Sequence, residues 1–314
     1  MKESEDMKKS KKSLLLVLVL ALSVIFSACS GNADTSQKGE GGSGFYPLSF
    51  TDSLGTEITI EKEPERIVSL APNITEMVYA LGLSDKLVGR TDYCIYPEEV
   101  NKVQSIGDLM NPNIEKIMEL EPDVIISSSL LTEEYQNKFK ELKIQVINIA
   151  DTDSFEGVYN SIKSMGKLFN VEEKAAEVIN SIKDKVAEVE GKVASKSKPS
   201  VYYVVGFGQG GDYTATGETF VNDIITYAGG DNIAKDVTGW TFSKEMLIEK
   251  DPEIILLPSY YYDEFISTEG YKDLTAVKNK KVYVVDNNVI DVQGPRIGEG
   301  VEAVAKALHP ELFK

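Results

Sequence analysis

The chain has 314 residues, and its 50 acidic side chains outnumber its 33 lysines and arginines, which gives a formal net charge of −17. This acidity argues against nucleic acid and anionic lipid surfaces as partners, because both would be repelled. Two cysteines and one histidine are too few for a disulfide-rich scaffold or a site built on several histidines.

The N-terminus is typical of an exported lipoprotein. A lysine-rich segment precedes the apolar run Leu14 to Phe26, whose 13 residues are too few to span a bilayer but suit the core of a signal peptide. The run leads into Ser-Ala-Cys29, which resembles a bacterial lipobox, although an ordinary signal peptide with an incidental cysteine is the alternative. We predict a signal peptide over 1–28, lipidation of Cys29 and a flexible Gly- and Ser-rich tether over 29–45. Removal of the signal peptide, which has five lysines and three acidic residues, leaves a net charge of −19.

Short apolar segments alternate with segments of helical period from Arg66 onward, which is typical of parallel βα units. Before them, Leu48 to Ile60 alternates around a Ser-Leu-Gly turn and predicts a hairpin. In the first half, strands are predicted over 66–70, 86–89, 124–127 and 145–149, and helices over 74–81, 113–120 and 133–142. Asn73 is expected to cap the first helix, with Glu76 completing a capping box.

A repeat at an offset of 130 residues relates the two halves of the chain. NIEKIMELEPDVIISSS (113–129) matches SKEMLIEKDPEIILLPS (243–259), so that Glu115 corresponds to Glu245. The segments that precede the two copies also resemble each other, although less closely, and they occur in the same order. Two matches in the same order favour a duplicated α/β lobe.

Residues 154–196 carry apolar side chains at helical spacing and predict a helix of about 60 Å, with a break near Asn170, where the period falters, as the alternative. The predicted domains are thus an N-terminal lobe over 46–153, an interlobe helix over 154–196 and a C-terminal lobe over 197–314. The fold class is α/β, with two Rossmann-like lobes joined by a long rigid helix. Ligands of open α/β sheets bind beyond the carboxyl ends of the strands, so a ligand cleft is expected between the lobes.

The loops after the predicted strands are rich in aromatic residues. Aromatic rings give a large and rigid contact area, and tyrosine adds a polar tip. We expect about half of these rings to contact a ligand and the others to pack within the protein. The candidates are Tyr93, Tyr96, Phe207, Tyr213, Trp240 and Tyr260.

Other motifs do not indicate catalysis. Gly206 to Gly211 formally matches GxGxxG, but no helix is predicted to begin directly after it, so a cleft loop is favoured over a dinucleotide site. His309 is expected to be an exposed C-terminal residue, and Cys94 to be a packing residue. No Ser-His-acid, Cys-His or multi-histidine constellation can be built. We therefore predict no catalytic residues, no metal site and no enzyme.

Several segments, in order, resemble the siderophore/cobalamin class of ABC-importer substrate-binding proteins. They are ERIVSLAPNITEMVYALG, GRTDYCIYPEEV, IGDLMNPNIEKIMELEPDVII and QGPRIGEGVEAVAKAL, and the similarity is greatest to the vitamin B12-binding members. The resemblance implies that Glu115 and Glu245 dock on the permease. The complete predicted ligand-binding set is Pro72, Asn73, Tyr93, Tyr96, Met110, Phe207, Tyr213, Trp240, Tyr260 and Arg296.

The expected function is capture of a metal chelate at the outer face of the cell membrane and its delivery to an ABC permease with its ATPase. A catecholate siderophore would need several arginines, and the chain has three. Cobalamin is favoured, with haem and a ferric siderophore as alternatives, and a secreted α/β enzyme or a surface adhesin as rivals of other classes. We expect a monomer that holds no cofactor apart from the ligand, contacts the membrane only through its lipid anchor and binds no nucleic acid.

Overall fold

Two parallel β-sheets, one in each half of the chain, form the framework of the structure. The computed structural model describes residues 44–128, 131–150 and 153–313, so the predicted signal peptide and Cys29 lie outside the described residues. An antiparallel hairpin comes first, as predicted, and consists of β1 (Leu48–Thr51) and β2 (Glu57–Ile60).

The first sheet has the order β5-β4-β3-β6-β7, and all its neighbours are parallel. Its strands are β3 (Ile67–Ser69), β4 (Leu87–Arg90), β5 (Gln104–Ser105), β6 (Val124–Ser127) and β7 (Gln145–Asn148). The second sheet has the parallel order β10-β8-β11-β12, with β9 antiparallel on β8. Its strands are β8 (Ser200–Gly206), β9 (Tyr213–Thr214), β10 (Asp231–Asn232), β11 (Ile254–Leu257) and β12 (Val282–Val284).

Helices connect the strands and cover the sheets. They are α1 (Pro72–Ala80), α2 (Ile114–Glu119), α3 (Glu133–Glu141), α4 (Phe155–Leu168), α5 (Glu172–Val193), α6 (Phe220–Tyr227), α7 (Lys244–Lys250), α8 (Tyr262–Ser267), α9 (Thr275–Lys278), α10 (Asn287–Ile290) and α11 (Ile297–Leu308). Every residue of the central strands β6 and β11 is buried, as is usual for parallel strands covered on both faces. The predicted α/β class with two lobes is confirmed. None of the helices in the described part of the chain is long and apolar enough to cross a bilayer.

The duplication predicted from the sequence repeat is present in the structure. Asn113 and Ser243, 130 residues apart, each cap a helix by accepting a hydrogen bond from the backbone N–H three residues on, at 3.0 and 3.2 Å. The following turns share a left-handed residue, Glu121 with φ 42° and Asp251 with φ 38°. Strands β6 and β11 then begin at equivalent residues. The two halves therefore repeat one helix-turn-strand unit.

The shared turn allows a test in which one substitution has opposite effects in the two lobes. Glu121→Gly is expected to raise the free energy of unfolding by about 0.5 kcal/mol, because glycine adopts the left-handed conformation without strain. Asp251→Gly is expected to lower it by about 1–2 kcal/mol, because the Asp251 carboxylate accepts hydrogen bonds from the Thr275 amide (2.8 Å) and hydroxyl (2.5 Å) at the start of α9. Urea unfolding of both variants and of the wild-type protein measures the sign of each change in the free energy of unfolding.

The segment between the lobes differs from the single helix that was predicted. It is broken at Phe169–Val171 into α4, of 14 residues, and α5, of 22 residues, which pack against each other. Asn170 takes a left-handed φ of 55°, and the Val171 amide turns back to the Gly166 carbonyl at 2.8 Å. Left-handed residues commonly end helices, so the faltering period near Asn170 marks a true end.

The longer of the two helices, α5, therefore spans about 33 Å, and the prediction of one rigid helix of about 60 Å over 154–196 is wrong. The buried apolar residues of α4 and α5 belong to one cluster that also includes residues of both sheets. The two lobes are consequently joined by a helix pair through a continuous core.

Candidate ligand cleft

A cavity of about 350 Å³ lies between the two lobes. Four loops at the carboxyl ends of first-lobe strands reach it, one each after β3, β5, β6 and β7, and the segment before α11 closes it from the second half of the chain. The start of α4 forms another part of the wall. The lining residues are Ala71, Pro72, Asn73, Leu109, Ser128, Ala150, Asp153, Val158, Ser161, Asp291, Val292 and Gln293. The volume is in the range of small-molecule sites.

Pro72 and Asn73 of the predicted ligand set line this cavity, but Asn73 does not cap α1. The helix begins at Pro72, which lacks an N–H and suits the first helical position, so Asn73 is already inside the first turn. Its side-chain oxygen instead accepts a hydrogen bond from the Ser128 hydroxyl at 2.7 Å. This bond connects the residue after β6 to the first turn of α1. The predicted capping box with Glu76 is therefore wrong.

Two carboxylates dominate the polar lining, and sequence reasoning missed both. Asp153 accepts hydrogen bonds from the Phe220 amide (3.1 Å) and the Gln293 side chain (2.8 Å), and thus links the two lobes. Asp291 accepts a hydrogen bond from the Tyr203 hydroxyl at 2.6 Å. Partial loss of solvation raises the pKa of both carboxyl groups above the usual range. The lining contains no lysine or arginine among the described residues, so the cavity is rich in acceptors and poor in positive charge.

The raised pKa of Asp153 predicts a specific pH dependence of stability. Between the ordinary pKa near 3.8 and the raised value, the folded protein binds more protons than the unfolded chain. The contribution of Asp153 to the free energy of unfolding must therefore fall as pH rises through this window. Asp153→Asn keeps a hydrogen-bond acceptor and cannot titrate, so its stability is expected to fall less. Urea unfolding between pH 4 and about 7 measures the difference, and Asp236→Asn, at an exposed carboxylate, is the control.

Beside the cavity, a buried ion pair crosses between the lobes. The Arg296 guanidinium, at the start of α11, donates two hydrogen bonds to the Glu76 carboxylate of α1, at 2.5 and 3.0 Å. Only 12% of the Arg296 side chain and 4% of the Glu76 side chain are exposed. The ring of Tyr96 lies over the guanidinium, with its centroid at 3.8 Å. Tyr96 and Arg296, both predicted as ligand residues, are thus in direct contact.

The first-lobe rim presents exposed apolar and aromatic side chains. Tyr93, Tyr96 and Met110 are 56%, 44% and 58% exposed. Asp108 organises this rim, because it accepts hydrogen bonds from the Tyr93 hydroxyl at 3.3 Å and the Met110 amide at 2.8 Å. Met110 follows Leu109, which lines the cavity, so the rim is continuous with the cavity wall.

In the second lobe, Tyr213, Trp240 and Tyr260 follow the parallel strands β8, β10 and β11 and are 39%, 45% and 64% exposed, and we call them the second-lobe rim. The Thr214 amide donates to the Trp240 carbonyl at 2.9 Å, so the loops that carry Tyr213 and Trp240 are joined. Phe207 is half-buried, and its ring packs against rings of the second-lobe core, while its role as a ligand residue stays a prediction. Its ring contacts are Tyr261, Phe265 and Tyr271.

Asp212, which follows the Gly-rich loop directly, stabilises that loop. Its carboxylate accepts hydrogen bonds from the Tyr271 hydroxyl at 2.6 Å and the Gly208 amide at 3.1 Å. After this loop come β9 and then α6 at Phe220, so no helix begins where a dinucleotide phosphate would require it. The structure therefore argues against a dinucleotide site, and the place of this loop in the ligand cleft stays a prediction.

The predicted docking residues lie at equivalent places on the two lobes. Glu115 and Glu245 are exposed and occupy the first turns of α2 and α7. Both helices precede and run antiparallel to a parallel strand, so their N-termini lie at the edge where the strands end. The two carboxylates therefore flank the cleft, one on each lobe.

The remaining singled-out residues are structural. His309 is 5% exposed, and its Nε2 lies 3.2 Å from the Gly229 carbonyl, so the expected exposed position is wrong. The ring fills a gap beside a glycine turn, and no local pattern signals that contact. Cys94 is buried at 1% exposure, as expected of a packing residue. Within the described residues, no cluster of three metal-ligating side chains occurs.

Comparison with known proteins decides the family. The family model for periplasmic binding proteins matches residues 67–289, which is most of the chain. The chain belongs to the periplasmic binding protein family. It is 33% identical to the uncharacterized ABC transporter substrate-binding lipoprotein YvrC of Bacillus subtilis, over 98% of this chain and 99% of the relative.

Two further relatives of this periplasmic binding protein have names that specify a ligand. The cobalamin-binding protein of Halobacterium salinarum is 28% identical over 84% of this chain and 74% of its own length. The high-affinity heme uptake system protein IsdE of Staphylococcus aureus is 32% identical over 75% of this chain and 84% of its own length. A crystal structure of a possible iron-binding, periplasmic solute-binding protein from Staphylococcus epidermidis superposes with a TM-score of 0.69 and 29% identity, and covers 79% of this chain and all of that one.

Family membership confirms the broad prediction. The chain is a substrate-binding component of an ABC importer, which binds a small ligand and acts with a permease, and it is not an enzyme.

Proposed function

We propose that this protein captures a corrinoid, with cobalamin favoured, and delivers it to an ABC permease. The observation that carries the proposal is the composition of the cleft. An acceptor-rich cavity without a lysine or arginine in its described lining lies between two lobes whose strand-end loops carry exposed aromatic side chains.

The polarity of the cavity supports an amide-fringed ligand. Asp153, Asp291 and Gln293 present oxygen acceptors, and the carboxamides of a corrinoid supply N–H donors. The carboxylates of haem or the ionised oxygens of a ferric catecholate would instead face Asp153 and Asp291. Like charges at short range in a partly desolvated site are unfavourable.

The aromatic rim supports a large ligand with an extended face. Tyr96 on one lobe and Trp240 on the other offer rings that can pack against the face and edge of a macrocycle. The cobalamin-binding relative, 28% identical over 84% of this chain, is consistent with this choice.

Haem is the second candidate, and Met110 is the observation that favours it. Its thioether side chain is 58% exposed on the rim beside the cavity, and Tyr93 and Tyr96 are exposed nearby. Methionine and tyrosine are both known axial ligands of haem iron. The heme uptake relative, 32% identical over 75% of this chain, adds to this candidate.

We also propose the setting in which the protein works. Signal-peptide cleavage before Cys29 and lipidation of its thiol would tether the protein to the outer face of the cell membrane. Glu115 and Glu245 would meet basic residues of the permease, and the protein would act as a monomer. The relative from Bacillus subtilis, named a lipoprotein, supports the anchor.

Titration of the mature protein tests the ligand. Trp240 is the only tryptophan of the chain, so its fluorescence reports on the second-lobe rim alone. Cyanocobalamin is expected to quench it with saturation at micromolar concentration or below, and haemin and a ferric hydroxamate to require more ligand. These ligands absorb the exciting light and can lower the fluorescence without binding, so calorimetry is used as an independent measurement of binding. If haemin bound saturably and cyanocobalamin did not bind, the corrinoid proposal would be wrong and haem would become the favoured ligand.

A further inference from the structure

The ion pair between Glu76 and Arg296 has a consequence for ligand choice. Arginine is the side chain that most often recognises carboxylates and other anions, because it offers a planar set of donors. In this structure the Arg296 guanidinium gives two of these donors to Glu76, and it also donates to the Asn288 carbonyl at 2.9 Å. Its charge is balanced, and its Nε and Nη2 donors are bound to protein oxygens.

The ion pair is close enough to the exposed ring of Tyr96 to interact electrostatically with a ligand bound there. The ring of Tyr96, 44% exposed, covers the guanidinium with its centroid at 3.8 Å. A group that packs on the outer face of this ring would lie about 7–8 Å from the guanidinium. At that distance, an unbalanced charge in a partly buried site still changes affinity by a factor of ten or more.

The other two arginines do not replace this charge. Arg66 donates to the Leu120 and Glu121 carbonyls at the opposite end of the first sheet. Arg90, with 12% of its side chain exposed, donates to the Thr91 carbonyl and lies 4.0 Å from Asp92. Each arginine of the chain is therefore engaged within the protein.

We propose that Glu76 is a selectivity residue, which balances the charge of Arg296 and so makes the cleft accept chelates that carry no anionic group beside Tyr96. Glu76 does not line the cavity, and it acts through Arg296. The inference rests on the proposed function, in which a macrocyclic metal chelate packs on the Tyr96 rim. It goes beyond that function because it assigns the charge preference at the Tyr96 rim, separately from that of the cavity carboxylates, to one residue pair.

The test compares two ligands that share a macrocycle and differ in charge. Haemin has two propionates, and its dimethyl ester has none. Dissociation constants of both are measured on the mature wild-type protein and on Glu76→Gln, which keeps the size of the side chain and one acceptor oxygen but not its charge. We expect Glu76→Gln to shift the preference towards haemin about tenfold relative to the ester.

Two further variants separate charge balance from general disturbance. Glu299→Gln removes an exposed charge three residues from Arg296, at a carboxylate without the buried ion pair, and is expected to shift the preference less than about threefold. Glu76→Gln combined with Arg296→Gln is expected to lose the shift, because no guanidinium remains to be released. Thermal unfolding of each variant confirms that it is folded.

The outcomes distinguish this inference from the function on which it rests. The role of Glu76 would be overturned if Glu76→Gln left the ratio of the haemin and ester dissociation constants unchanged. It would also be overturned if the change in this ratio persisted in the variant that lacks Arg296, or if no variant bound haemin. Cyanocobalamin is titrated in parallel on the wild-type protein. Its failure to bind would overturn the corrinoid proposal, whereas the haemin and ester ratio would still decide the role of Glu76.

Discussion

Replacing Glu115 and Glu245 together with alanine is expected to abolish ligand uptake by cells while the purified protein keeps its affinity. Both carboxylates are exposed, lie in the first turns of equivalent helices and flank the cleft without lining the cavity. Two such charges on related lobes suit a receptor with two-fold symmetry that carries arginines. Uptake of labelled ligand, together with titration of the purified variant, measures the two properties.

The same repeat supplies the control for this experiment. Glu119 and Glu249 are also equivalent, exposed and on the same helices, one turn further from the cleft edge. Their double replacement with alanine changes the net charge equally and is expected to preserve most of the uptake. Equal loss in both double variants would show a general effect of charge, and lost ligand affinity in the Glu115 and Glu245 variant would place these residues in the binding site.

Removal of the opposed rings should give the largest loss of ligand affinity. Tyr96→Ala and Trp240→Ala are each expected to weaken binding by at least tenfold, and the double variant by about a hundredfold or more, because large exposed aromatic residues in a cleft contribute most to contact. Calorimetry with cyanocobalamin measures all three variants, since Trp240 fluorescence is lost in two of them.

Met118→Ala is the matched control for the loss of apolar surface. Its side chain is 41% exposed and lies near the end of α2 distant from the cleft. Its affinity should equal that of the wild-type protein. Unchanged affinity in the Tyr96 and Trp240 double variant would show that the ligand is not held between these rims.

Local chemistry explains why much of the fold could be predicted. Four consecutive apolar or small residues between turn signals define β6 and β11, and Asn113 and Ser243 cap the helices before them through contacts only three residues long. Such features depend on neighbours in the chain. The end of α4 near Asn170 was also visible as a fault in the helical period, and only the decision to continue the helix was wrong.

Features of the cleft depended on contacts that no local pattern contains. Glu76 lies 220 residues from Arg296, and its position three residues after Asn73 indicated a capping box instead. Pro72 places the start of α1 one residue before Asn73, and the tertiary structure brings Glu76 of α1 to Arg296 at the start of α11. The balanced charge of Arg296 could therefore not be predicted from local sequence, because it depends on the contact between the two lobes.

The sequence by itself determined the α/β class, the duplicated unit and the aromatic character of the strand-end loops, because these follow from periodicity, capping and composition. Only the tertiary structure decided that Asp153 and Asp291 line the cavity, that Phe207 joins the second-lobe core and that Arg296 is neutralised. Burial and ion pairing are properties of distant residues brought together, and a side chain takes its role from the partners that folding gives it.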